Sequence, residues 1–148
     1  MKISLFETHI ETNCLEKATA FYEQVLELEV ALASSRGVRF YWIGEPGEHM
    51  LGVWETDVSP ISVRHFAFQV DFEDLPKIIE KYSEKGVQFQ NHFRETTNEP
   101  SVHCWMPSAS IYFQDPDGNS LEFIAKLPGK SNPSGGIIPL SEWMRNNG

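Results

Sequence analysis

The segment DPDGNSLEF, Asp115 to Phe123, joins turn chemistry to a strand, and its phase decides how the rest of the chain is read. Asp115-Pro116 pre-sets the backbone, and Asp117-Gly118-Asn119 supplies residues that tolerate positive φ. From Ser120 onward side chains alternate, so Leu121 and Phe123 share one face while Ser120, Glu122 and Ile124 share the other. Both faces carry apolar residues, and Glu122 places a carboxylate among them. Alone it reads as an edge-strand charge, the commoner fate of a strand carboxylate.

Working outward, residues 109 to 114 form the preceding strand, and 87 to 90 a further one. Upstream, VRHFAFQV over 63 to 70 reads as a strand, and Leu75, Ile78, Ile79 and Tyr82 mark one helical face that stops at Gly86. The first half has the same order. A strand at 3 to 10 precedes a helix begun by Asn13 with Glu16 three residues on, an approximate capping box. Ala18, Phe21, Tyr22, Val25 and Leu26 give that helix its buried face. Strands at about 28 to 33, 38 to 43 and 49 to 55 follow, separated by Ser-Ser-Arg-Gly and Gly-Glu-Pro-Gly turns.

Both halves thus read strand, helix, strand, strand, strand, and sliding the second onto the first by 56 positions lays His65 on His9. Identity between the halves is low, so the repeat rests on element order and the two histidines. It predicts an α+β fold of paired βαβββ modules, about 3–56 and 62–126, whose curled sheets flank a concave site. Residues 1–126 form one domain. Residues 91 to 108 read as a long loop with a short extra strand at 102 to 106. The tail, 127–148, is rich in Pro, Gly and Ser, and Ser141 caps a short terminal helix whose Trp143 docks on the body.

Composition excludes several functions. A net charge of −9, with 12 Lys and Arg scattered among 21 acids, argues against a nucleic-acid partner. No apolar run is long enough to span a membrane, and MKISLFETHIET lacks a signal peptide's apolar stretch, so the expected location is cytoplasmic. Cys14 and Cys104 have no CxxC spacing and suggest neither a disulfide framework nor a cysteine zinc site.

The chemistry rests on His9, His65 and Glu122, each on a predicted strand. Two imidazoles and a carboxylate suit one divalent transition metal, Zn, Ni, Mn or Fe, and leave positions open for substrate. A lone strand histidine is more often a hydrogen-bonded structural residue, and it is the equivalent placement in a repeat that raises these two. Glu55 ends the fourth strand and is a candidate fourth ligand or proton acceptor beside Glu122, or else a solvated strand end. Tyr112 and Ser110 alternate onto one strand face toward substrate oxygen. Trp54 and Trp105, with Phe40 and Trp42, are candidate pocket walls, although aromatics at such spacing are more often core. His49, His92 and His103 fall in or beside loops and read as surface or lining residues.

His9 followed by LEKATAFYEQVLEL, the strand RHFAFQV and the run SIYFQDPDGNSLEF resemble the vicinal oxygen chelate superfamily over residues 3 to about 126. That group includes glyoxalase I, fosfomycin-resistance thiol transferases, extradiol dioxygenases, methylmalonyl-CoA epimerase and bleomycin-resistance proteins. The resemblance implies paired βαβββ modules, metal ligands at His9, His65 and Glu122, and a homodimer. Departures narrow the subfamily. The arginine glyoxalase I usually places after the first histidine is replaced near Asn13. Ser110 and Tyr112 match fosfomycin-enzyme positions, but Glu11 replaces the usual threonine, and residues 95–110 contain no lysine. An acid at Glu11 beside the metal would repel a phosphonate. The expected activity is a metal-dependent lyase, isomerase, transferase or dioxygenase reaction on a small oxygen-bearing substrate. A non-catalytic resistance-type binding protein is the alternative, and the intact His9, His65 and Glu122 set counts against it.

Overall fold

A computed structural model describes residues 1–147, and its elements fall into two compact units. Unit one comprises residues 1–64 and 115–119. Its chain order is β1 (Glu7–Thr12), α1 (Leu15–Thr19, continued as a π-helix over Ala20–Val25), β2 (Glu29–Ser34), β3 (Val38–Ile43) and β4 (His49–Glu55). The strands pair in the order β1-β4-β3-β2, with β1 parallel to β4 and the other neighbours antiparallel. A parallel pair needs a crossover, and α1 starts it. Ile10, Leu51, Val53 and Tyr41 bury one sheet face together with Ala18, Tyr22 and Leu26 of the helical segment. The predicted helix face is therefore the one that packs.

Two details of α1 differ from expectation. The capping position is Cys14, which makes no side-chain cap. Asn13 instead donates from Nδ2 to the Thr56 and Val58 carbonyls, both at 2.8 Å. The free Leu15 amide is satisfied by Glu55 Oε2 at 2.8 Å, a carboxylate from the end of β4. An acid at a helix N-terminus also complements the helix dipole. The turn 115–119 docks on the same helical segment. The buried Tyr22 hydroxyl donates to Asp115 Oδ2 at 2.7 Å, and Asn119 Nδ2 donates to the same oxygen at 2.7 Å. Asp115 Oδ1 accepts the backbone amides of Asp117 and Asn119. Burial first, and the Asp115 carboxylate second, push the Tyr22 pKa far upward.

Unit two comprises residues 65–114 and 120 onward. It contains β5 (His65–Gln69), a 3-10 turn and α2 (Leu75–Glu84), then β6 (Ser101–His103), β7 (Ser108–Gln114) and β8 (Ser120–Lys126). A second 3-10 turn, β9 (Ile137–Pro139) and α3 (Leu140–Asn147) complete it. The five strands pair as β5-β8-β7-β6-β9, and β5 is parallel to β8. One face holds the core: Tyr82 of α2 stacks on Phe123 at 5.6 Å, and Phe123 stacks on Phe113 at 5.0 Å. Leu121 and Phe123 are buried with them, as the phase set by the turn predicts. Both units carry the βαβββ order, on open four- and five-stranded sheets.

Three expectations change in unit two. The strand expected at 87–90 is reduced to Gln90, which bridges Thr96 and Tyr112 singly. The short extra strand lies at 101–103 and pairs on both sides, with β7 and β9. The tail is not a free linker between 127 and 139, because Ile137–Pro139 adds to the β6 edge. α3 begins at Leu140, so Ser141 lies inside its first turn, where its amide and hydroxyl both donate to Glu99 Oε1. Those donors hold the Glu99 pKa below the usual carboxylate range. Among the described residues no helix is long and apolar enough to cross a membrane.

Candidate functional site

In unit two, β5 and β8 run parallel with His65 opposite Ser120 and Ala67 opposite Glu122. Alternation puts His65 and Glu122 on the face away from α2. The Glu122 side chain is 8% exposed, and its Oε1 lies 3.1 Å from His65 Nε2. His65 Nδ1 lies 2.9 Å from the Ser120 carbonyl, which can only accept, so the ring hydrogen belongs on Nδ1. On a neutral ring Nε2 then turns a lone pair toward a carboxylate oxygen. Two acceptors at that separation require a cation between them, either a proton on Nε2 or a metal ion. Nitrogen and oxygen ligands at about 2.0–2.2 Å from zinc sit roughly 3 Å apart, and a backbone carbonyl that orients the ring is the usual outer support of a metal-binding histidine. The pair fits a divalent metal.

The same face extends onto the neighbouring strands. Tyr112 stands opposite Glu122, and His103 stands opposite Ser108 two residues before Ser110. His103 Nε2 and the Tyr112 hydroxyl are 2.8 Å apart, the His65 and Tyr112 rings 6.2 Å apart, and His92 packs edge-on to His103 at 5.1 Å. Burial, then the Glu122 charge, pushes Tyr112 up to about 12. Burial and then the His92 imidazole hold His103 below its ordinary value, against the opposing pull of Glu122. Ser110 shares this face but is fully buried. His103 and His92 escape a reading that treats 91–108 as loop. Extending the alternation of β7 across its pairing with 101–103 exposes the signal, because it places His103 on the Tyr112 face.

Unit one repeats the register with different side chains. His9 stands opposite Gly52 as His65 stands opposite Ser120, so the residue in the place of Glu122 is Trp54. The expected counterpart, Glu55, is one residue out of phase and faces α1, where it binds the Leu15 amide. Trp54 Nε1–H donates to His9 Nδ1 at 2.9 Å and stacks on the ring at a 5.8 Å centroid distance. His9 Nε2 lies 3.4 Å from Glu7 Oε1, and Phe40 meets the ring edge-on at 5.5 Å. A Cβ at Gly52 would lie 2.9 Å from Phe40 Cε1 and 3.2 Å from His9 Cδ2, so only glycine lets both rings lie across the strand. Glu11, on the His9 face, lines a depression of about 450 Å³ with His9, Trp54, Glu55 and Arg64. Trp105 lies outside both clusters, 57% exposed in the β6–β7 turn.

Among the described residues, no three His, Cys, Asp or Glu side chains gather closely enough to hold a metal by themselves. The structure brings His65, Glu122, Tyr112 and His103 together, and separately His9 with Trp54.

Comparison with known proteins agrees with this architecture. An integron cassette protein, HFX_CASS4, from the mobile metagenome of a Halifax Harbour sewage outfall is 30% identical, with a TM-score of 0.71 over 82% of this chain and 97% of that one. Oxidase ChaP-H2 superposes with a TM-score of 0.66 at 21% identity, covering 89% of this chain and 100% of its own. A lactoylglutathione lyase from Agrobacterium tumefaciens gives 0.62 at 23%, covering 82% and 92%. The last two show shared fold alone. Residues 5–123 match the family described as the glyoxalase/bleomycin resistance protein/dioxygenase superfamily. With that span running from before β1 into β8, the chain belongs to this superfamily, also called vicinal oxygen chelate.

Proposed function

We propose that the protein is a divalent-metal-dependent enzyme of the vicinal oxygen chelate type, acting on a small substrate with two neighbouring oxygens. The observation that carries this reading is His65 Nε2 placed 3.1 Å from the buried Glu122 carboxylate, with Ser120 O fixing the ring. His65 and Glu122 would hold the metal. Bound there, a metal supplies Lewis-acid polarisation of substrate oxygen.

The chain's own groups do the rest. Tyr112 keeps its proton at neutral pH and, held by His103, presents a hydroxyl beside Glu122 for hydrogen bonding to a substrate oxygen. Neutral His103 accepts the phenolic hydrogen or donates its own, so the pair can serve a substrate as donor or acceptor. Proton transfer falls to Glu122 or the Tyr112–His103 pair, because the Glu55 carboxylate is engaged at α1. The soluble partner is this small molecule, and a homodimer is the proposed assembly.

One finer reading is an Fe(II) extradiol-type dioxygenase. Trp54 in the place of a second carboxylate favours it, because a non-haem Fe(II) centre of that type takes a single carboxylate. Metal stoichiometry tests the broader proposal. Reconstitution with Zn, Ni, Mn and Fe should give about one equivalent per chain of at least one metal, and less than about a tenth of an equivalent of every one would refute it. Catechol-dependent oxygen uptake by the Fe(II)-loaded protein alone separates the dioxygenase reading from lyase or isomerase chemistry.

A further inference from the structure

We propose that residues 1–6 dock into an apolar groove on unit two of a second copy of this chain; this rests on the homodimer proposed above and gives it a specific contact. The segment, MKISLF, is tethered at its end, where the Leu5 and Phe6 carbonyls accept from His49 Nδ1 and the Met50 amide, both at 2.9 Å. Beyond that tether its side chains are bare. Ile3 is 98% exposed and Leu5 75%, so the chain's own body covers neither. Adjacent apolar side chains left open in this way mark a surface that another molecule covers.

The matching surface lies wholly in unit two. Leu75 and Ile79 of α2, with Pro100 and Leu140, line a groove of about 450 Å³. Its spacing suits the segment. Leu75 and Ile79 are one helical turn apart, about 6 Å along the axis, and Ile3 and Leu5, on one face of an extended segment, stand about 6.6 Å apart. Two apolar side chains therefore fall into step with two positions of the helix. Charge selects the same pairing: Glu80 and Glu84 also line the groove, and residues 1–6 carry Lys2 and no acid in a chain of net charge −9. A cationic, acid-free segment is what an acidic rim admits, and it repels acidic ones.

Two measurements on the full chain test this. Protein with photoreactive benzoylphenylalanine in place of Ile3 is mixed from ¹⁴N- and ¹⁵N-labelled batches, so that mass identifies cross-links between copies. Those links should join position 3 to residues 75–84 or to Leu140. Links between copies that land elsewhere, links within one copy alone, or none at concentrations where sedimentation shows a dimer overturn the contact and leave the homodimer to another face. A monomer at every concentration overturns the contact and the homodimer together, and leaves the metal assignment untouched. Glu80→Lys combined with Glu84→Lys, both at exposed positions of α2, should weaken dimerisation at least about fivefold in sedimentation equilibrium. Unchanged dimerisation of the folded double variant overturns the proposal.

Discussion

At the scale of single residues, Glu55 and Glu122 show how one position of phase separates two chemistries. Both lie on strands paired in parallel with the first strand of their module, yet Glu122 shares a face with His65 and Glu55 turns to the Leu15 amide. Glu55→Ala should therefore lower stability by about 0.5–2 kcal/mol, the usual loss for a helix cap, and leave metal affinity unchanged. Calorimetric titration beside a urea melt checks both halves, and weakened metal binding would restore Glu55 as a ligand. Tyr22 has an equally specific role at Asp115. Tyr22→Phe leaves a buried carboxylate oxygen one donor short, and should cost about 1–3 kcal/mol in denaturant unfolding. The alternation of 120–125 made Glu122 legible from sequence. The role of Trp54 was not, because its phase relative to His9 depends on a parallel register that no local pattern encodes.

At the scale of elements, amphipathic faces were readable and edges were not. Ala18, Tyr22 and Leu26 are buried as their spacing predicts, and so are Leu75 and Ile79. The start of α1 misled because Asn13 and Glu16 satisfy a local rule, while the amide is capped by a residue forty positions away. The tail misled in the opposite way. Its Pro and Gly composition suggests a linker, yet three residues suffice to extend the sheet beside β6, an interaction that local composition cannot report. Two outcomes follow at this scale. Removal of residues 137–148 should expose the β6 edge, lower the unfolding midpoint and increase self-association in light scattering. Gly52→Ala should push the His9 and Phe40 rings apart and destabilise by about 1–3 kcal/mol through overpacking, read by thermal melting.

At the scale of the whole molecule, the repeat of βαβββ modules was legible from element order and from His9 and His65. The repeat is imperfect where function is concerned. Matching registers carry Glu122 in one half and Trp54 in the other. Global stability also carries a pH signature. Tyr22, Tyr41 and Tyr112, three of four tyrosines, have pKa values raised by burial and by nearby carboxylates. The folded state keeps phenolic protons that the unfolded chain releases near pH 10, so their stabilisation is fully present below about pH 10 and falls as pH rises above it. Thermal melts at rising alkaline pH should show that decline, with tyrosinate absorbance from these three appearing only on unfolding. Their ionisation near pH 10 in a folded protein would contradict it.

The central claim is that His65 and Glu122 hold a divalent metal. Its most direct test is the Co(II) or Zn(II) dissociation constant of wild type against Glu122→Gln, which keeps shape and removes the charged ligand. We predict saturable binding in wild type and at least about tenfold weaker binding in the folded variant. Equal affinity in the two proteins would contradict the account.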